Sequence, residues 1–112
     1  MAKRIEQVNE LLRKEIAFAI ERDLELPGVL VTVARVDCTP EFKEAKVWIS
    51  ILPDNKAGST MEKIRKQQGL IYDYLKKNTV LRRIPVLKFI FDDTQKHAAE
   101  IENIISEFPT NY

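Results

Sequence analysis

The side chains able to do chemistry in this chain fall into two sets. The first holds the usual instruments of catalysis and metal binding, and it is sparse: His97 is the single histidine, Cys38 the single cysteine, and Asp92-Asp93 a carboxylate pair in sequence. General acid–base and nucleophilic chemistry need a base within hydrogen-bond reach of its partner. A zinc site needs several Cys or His residues at short spacings. One of each supplies neither. His97 falls in the first turn of an expected helix and reads as a surface residue. Asp93 serves more simply as a helix cap, and neighbouring carboxylates at a strand end point in different directions. Cys38 lies on an expected strand as a small buried hydrophobe. No G-x-S-x-G, G-x-x-x-x-G-K-[ST] or G-x-G-x-x-G occurs. No catalytic residue, metal or cofactor is therefore expected, and a small enzyme built on His97 and Asp93 is the weakest reading of the chain.

The second set is dense. Between Lys63 and Lys88 lie Lys63, Arg65, Lys66, Lys76, Lys77, Arg82, Arg83 and Lys88 against one acid, Asp73, so eight positive charges and one negative leave +7. The whole chain carries only +1, so the remainder sums to −6. Segregated charge of this kind concentrates and steers a polyanion. The plainer alternative is a solvated helix face. The Gln67-Gln68-Gly69 interruption inside the stretch favours a functional reading.

The elements that must position these cations follow from periodicity. At 112 residues, with 31% charged and 45% hydrophobic residues, the sequence describes one domain, 1–112. No apolar run approaches the roughly 20 residues of a membrane span, residues 1–22 show no signal-peptide pattern, and a lone cysteine suits a reducing, cytoplasmic setting. Ile5, Val8, Leu12, Ile16, Ala19 and Ile20 make one stripe of a helix over 3–22. Pro27-Gly28 turns the chain. Residues 29–38 read as a strand in which Val29, Val31 and Val33 share one phase and Val36 and Cys38 the other. That phase change suggests a bulge or burial on both sides. Residues 45–52 form its hairpin partner, with Ala45, Val47, Ile49 and Ile51 facing the core. Ser59 and Glu62 match a capping box, so a helix is expected to start near Thr60. Its stripe, Met61, Ile64, Ile71 and Leu75, is interrupted at Gln67, Gln68 and Gly69, and a glycine costs about 1 kcal/mol in a helix interior. The spacing thus predicts two helices, near 60–67 and 69–77, meeting at a kink. A third strand over 86–92 follows Pro85, with Leu87, Phe89 and Phe91 inward. A last helix runs to about Phe108, its stripe being Ala98, Ile101, Ile105 and Phe108. The order is α-β-β-α-kink-α-β-α, an α+β fold with helices over one face of a three-stranded sheet.

The runs VTVARVDCTPEFKEAKVWISIL (31–52) and RRIPVLKFIFDDT (82–94) resemble bacterial ribosome-binding factor A. The family pattern of V-T-V-x-x-V, A-K-V-x-(V/I)-S, R-x-x-P-x-L-x-F and D-D-S appears here as Val31-Thr32-Val33, Ala45 to Ser50, Arg82 to Phe89 and Asp92-Asp93-Thr94. The resemblance covers roughly residues 4–107. It implies a type II KH-like domain in which an Ala-x-Gly kink replaces the G-x-x-G loop. Gly69 keeps the family glycine, Gln67 stands where the family has a small alanine, and Ala98 takes the place of a glycine in the last helix. The resemblance further implies a non-enzymatic factor that binds the small ribosomal subunit near the 5′ end of its ribosomal RNA. It assists late maturation there, notably at low temperature.

KH modules clamp RNA backbone at a helix–loop–helix element, and a helix N-terminus is a ready anion site. The expected RNA-binding residues are accordingly Arg65, Lys66, Gln67, Gln68, Gly69, Lys76, Lys77, Arg82 and Arg83. The expected partner is the small ribosomal subunit with its RNA, bound by a monomer. Trp48 and Tyr72 are candidates for base stacking. The heavier reading places Trp48 at a sheet edge and Tyr72 and Tyr74 in packing. The competing function is a basic protein-interaction module that meets an acidic partner.

Overall fold

The computed structural model describes residues 2–93. The expected last helix, with Ala98 and His97, lies outside the described residues. Helix α1 (Ala2–Asp23) buries Leu12, Ile16, Ala19 and Ile20, the stripe its spacing predicts. It packs across strand β1 (Leu30–Cys38) and along helix α3 (Gln68–Asn78). Asn9 fixes the first of these contacts, its Oδ1 accepting the Cys38 N–H at 2.8 Å. Tyr74 of α3 lies near Glu15 of α1. Partial burial first, and then the Glu15 carboxylate, push its phenol up from the ordinary value.

Strand β2 (Glu44–Leu52) pairs antiparallel with β1 and parallel with β3 (Val86–Phe91), giving the order β1-β2-β3. A parallel neighbour requires a crossover, and the helices α2 (Ala57–Lys66) and α3 supply it. On the inner face Ala45, Val47, Ile49 and Ile51 are buried, and Val33, Val36, Cys38, Leu87 and Phe89 join them from the outer strands. The phase change in β1 is a bulge. Val33 opposes Ile49 and Arg35 opposes Trp48, so Ala34 is the extra residue. An inserted residue moves the following side chains to the other phase, which is how Val33 and Val36 both reach the core.

Three expectations are corrected. Helix α2 begins at Ala57, not near Thr60, because a short 3₁₀ turn, Asp54–Lys56, leads directly into it. The capping box does not form: no side chain caps this helix, the Ser59 hydroxyl donates back to the Lys56 carbonyl at 3.2 Å, and Glu62 pairs with Lys66 instead. Trp48 is not at a sheet edge. It sits half-buried on the outer face of the central strand, with the Arg35 guanidinium 4.0 Å from its ring centroid.

The edge of β3 away from β2 meets the helix pair. Tyr72 Oη accepts the Leu87 N–H at 2.7 Å, and Arg65 Nη2 donates to the Phe89 carbonyl at 3.2 Å. Tyr72 and Tyr74 are packing residues, half-buried against the core.

Candidate nucleic-acid interface

The basic stretch begins on the last turn of α2, where Lys63, Arg65 and Lys66 stand exposed, and a single residue, Gln67, separates α2 from α3. Gln67 has φ −101° and ψ 9° and is the pivot. Gly69 lies one residue inside α3, without a positive φ, and a Cβ placed on it would meet nothing within 4 Å. The chain therefore bends at the glutamine, and the glycine contributes an open, bare stretch of helix surface beside the bend.

The Gln67 side chain explains why the bend falls there. Its Oε1 accepts the Glu25 N–H at 3.1 Å, and its Nε2 donates to the carbonyls of Glu25 at 3.4 Å and Lys63 at 3.3 Å. The amide thus imitates a backbone group, tying the kink to the segment that follows α1. An alanine at this position has no such reach. Around it, Lys66 Nζ lies 3.2 Å from Glu62 Oε1, an exposed i,i+4 pair worth roughly 0–1 kcal/mol and readily exchanged for a phosphate. Gln68 is half-buried beside them.

The remaining cations lie at the other end of α3. The rise from Gln68 to Lys76 is about 12 Å at 1.5 Å per residue, and α1 runs beside α3 over this length. Lys76 and Lys77 occupy the last turn, where cations offset the helix dipole. Thr79 closes the helix, its hydroxyl donating to the Leu75 carbonyl at 2.7 Å. Arg82 and Arg83 follow and line a groove of about 430 Å³ with Arg4 from the start of α1. The structure therefore brings Arg65, Lys66, Gln67, Gln68 and Gly69 together at one end of α3, and Lys76, Lys77, Arg82 and Arg83 toward the other. It does not gather all nine at one point.

Arg4 is a residue that sequence reasoning missed. It stands 78 positions before Arg82, and on the helix stripe it is only one polar residue among several. Arg35 is another, brought over Trp48 by the bulge. Among the described residues no group of His, Cys, Asp or Glu is arranged to hold a metal ion, and no helix is long and apolar enough to cross a membrane. The Cys38 thiol is pushed up, by burial first and the neighbouring Asp37 second, which disfavours the nucleophilic thiolate.

A three-stranded mixed sheet, backed by α1 and by two helices that meet at a one-residue kink flanked with exposed cations, defines an α+β domain of KH-like order. The chain belongs to the ribosome-binding factor A family, whose model matches residues 4–105. It is 37% identical over 111 residues to the ribosome-binding factor A of Akkermansia muciniphila, covering 99% of this chain and 89% of that protein. It is 34% identical over 109 residues to that of Macrococcus caseolyticus, covering 96% of each. The crystal structure of ribosome-binding factor A from Thermus thermophilus shares the fold, with a TM-score of 0.68 at 19% identity over 78% of this chain and 93% of that one.

Proposed function

We propose that this protein is a ribosome-binding factor that associates with the small ribosomal subunit through its ribosomal RNA and assists late maturation of the subunit. It acts in the cytoplasm as a single-domain monomer, by binding and not by catalysis. The observation that carries this reading is the run of exposed cations from Lys63 to Lys88, set on a helix–kink–helix in a chain of this family. Folded RNA is a polyanion, and releasing its condensed counterions supplies affinity wherever Lys and Arg meet phosphate. Arg65, Lys66, Gln68 and the bare backbone at Gly69 form one contact, and Lys76, Lys77, Arg82 and Arg83 the other. Gln67 holds the bend within the first contact, and the length of α3 separates it from the second.

Co-sedimentation with immature and mature small subunits tests the proposal, with and without nuclease treatment. Association that prefers immature subunits and is lost with the RNA supports it. Association that survives nuclease points to an acidic protein partner. If about four to six phosphates are neutralised, log affinity falls against log salt with a slope near −3 to −4. A flat dependence would exclude an electrostatic RNA contact.

A further inference from the structure

The groove at the far end of α3 has more than charge. Its walls come from three separate segments: Arg4 and Val8 of α1, Glu41 and Phe42 of the turn between β1 and β2, and Val80 to Arg83 with Pro85 after α3. At about 430 Å³ it falls within the roughly 300–1,000 Å³ of small-ligand sites. Four of its features are independent of one another. Phe42 has φ +57°, a left-handed conformation seldom adopted by an aromatic residue. The turn enforces it: the Phe42 N–H donates to the Thr39 carbonyl at 2.9 Å, and Thr39 Oγ1 accepts the N–H groups of Lys43 and Glu44 at 3.2 and 3.3 Å. The Arg4 guanidinium lies 5.8 Å from the Phe42 ring centroid. Val80, which lines the same groove, is 92% exposed, a branched apolar side chain left in water. Among the described residues no hydrogen bond or ion pair engages Arg82 or Arg83.

We propose that this groove takes one unstacked nucleotide of single-stranded RNA. Its base lies against Phe42 and Val80, and its phosphate sits among Arg4, Arg82 and Arg83. The assignment rests on the RNA-binding function proposed above and names the form of RNA that this end of the molecule selects. Three guanidiniums against the single carboxylate of Glu41 favour an anion. A free phosphate or a duplex backbone would make no use of an aromatic and an aliphatic wall beside them, whereas a nucleotide presents a flat apolar face next to its charge.

The experiment compares two RNAs of equal phosphate number, a single-stranded oligouridylate and a blunt duplex, binding to the full chain. Phe42→Ala and Val80→Ser remove apolar wall without changing charge. Stacking on an aromatic ring is worth 1–3 kcal/mol per base, so Phe42→Ala is expected to weaken single-strand binding by about five- to a hundredfold, and Val80→Ser, which removes only an aliphatic contact, by a smaller but measurable factor, both leaving duplex binding unchanged. Arg82→Gln with Arg83→Gln is expected to weaken both. Phe42→Ala also alters a constrained turn, so Val80→Ser, at a position that packs against almost nothing, carries the decision if Phe42→Ala melts early. Equal single-strand affinity in Val80→Ser and the parent would overturn the proposal. So would amide shifts confined to residues 65–69 on titrating the oligouridylate, or displacement of that RNA by an acidic peptide at equal charge. A parent chain that ignores the oligouridylate yet sediments with small subunits in an RNA-dependent way would remove the groove and leave the broader function standing. Loss of RNA-dependent sedimentation itself would remove the function first.

Discussion

The two ends of α3 carry similar charge and use it differently. At the kink, polar groups are largely engaged with the protein itself: Gln67 on Glu25 and Lys63, Arg65 on the Phe89 carbonyl, Lys66 on Glu62. At the far end Arg82 and Arg83 have no such partner among the described residues, and an apolar groove opens beside them. Charge density alone does not separate these regions. What separates them is that Gln67 and Arg65 at the kink are bonded back to other parts of the fold, while Arg82 and Arg83 are not. A cation held at a fixed angle defines the shape presented to a ligand, while an unheld one supplies attraction and adapts. Under the function proposed above, the kink would position a polyanion and the far end would grip it.

The comparison breaks first at the strand that underlies both ends. Phe89 is only 6% exposed, and its carbonyl receives Arg65. Phe89→Ala should cost about 3–5 kcal/mol through the cavity it leaves, read by chemical denaturation, and binding at both ends should fall with it. Lys88→Ala, whose side chain is exposed on the outer face, should be nearly neutral. Equal losses in the two variants would reverse the phase of β3.

Charge reversal sharpens the comparison directly. Arg82→Glu with Arg83→Glu should weaken small-subunit binding on the order of a hundredfold with an unchanged melting temperature, since these side chains hold nothing in place. Arg65→Glu with Lys66→Glu should weaken it by about tenfold and lower the melting temperature slightly, because the bond to β3 is lost as well. Co-sedimentation beside thermal melting reads both quantities. A larger binding loss from the kink pair would exchange the two roles.

Smaller effects follow at the pivot. Gln67→Ala removes the amide clamp and should cost about 1–2 kcal/mol, since each net hydrogen bond is worth roughly 0.5–1.5. No melting change would mean that backbone geometry alone sets the bend. Gly69→Ala should be the mildest, stabilising by up to about 1 kcal/mol, because the site is helical and a methyl group meets open space. A stable Gly69→Ala protein that no longer binds small subunits would show that RNA approaches the backbone there.

Local patterns carried much of this architecture. The phase change between Val33 and Val36 marked the bulge, the alternation of Ala45, Val47, Ile49 and Ile51 marked the inner face, and the break in the stripe of Ile64 and Ile71 marked the kink. Each is a relation between residues a few positions apart. Relations across the chain left no such trace. Nothing near Trp48 announces that β3 will pair beside β2, and so local spacing alone points the tryptophan to an edge. Nothing near Arg4 announces Arg82. The capping box at Ser59 and Glu62 matched in letters but sits inside a helix already begun by the preceding turn. Of the candidate site, the cations themselves were legible from their density. Their division between engaged and unengaged was not, because it depends chiefly on Glu25, in the connection after α1, and on Phe89, in β3, both far from the kink in sequence.

The bulge in β1 and the side chains along β3 have a further consequence, for what this protein does beside copies of itself. A three-stranded sheet has two borders, and an open border is a template on which a neighbouring chain can add a strand and begin an aggregate. On the β3 side, Tyr72 and Arg65 occupy the Leu87 amide and the Phe89 carbonyl that such a strand would need. On the β1 side, Ala34 breaks the regular succession of amides midway, so no straight partner finds a continuous register. Among the described residues, both borders of the sheet thus carry features that disfavour the addition of a strand: side chains on the backbone groups of β3 and an irregular register in β1.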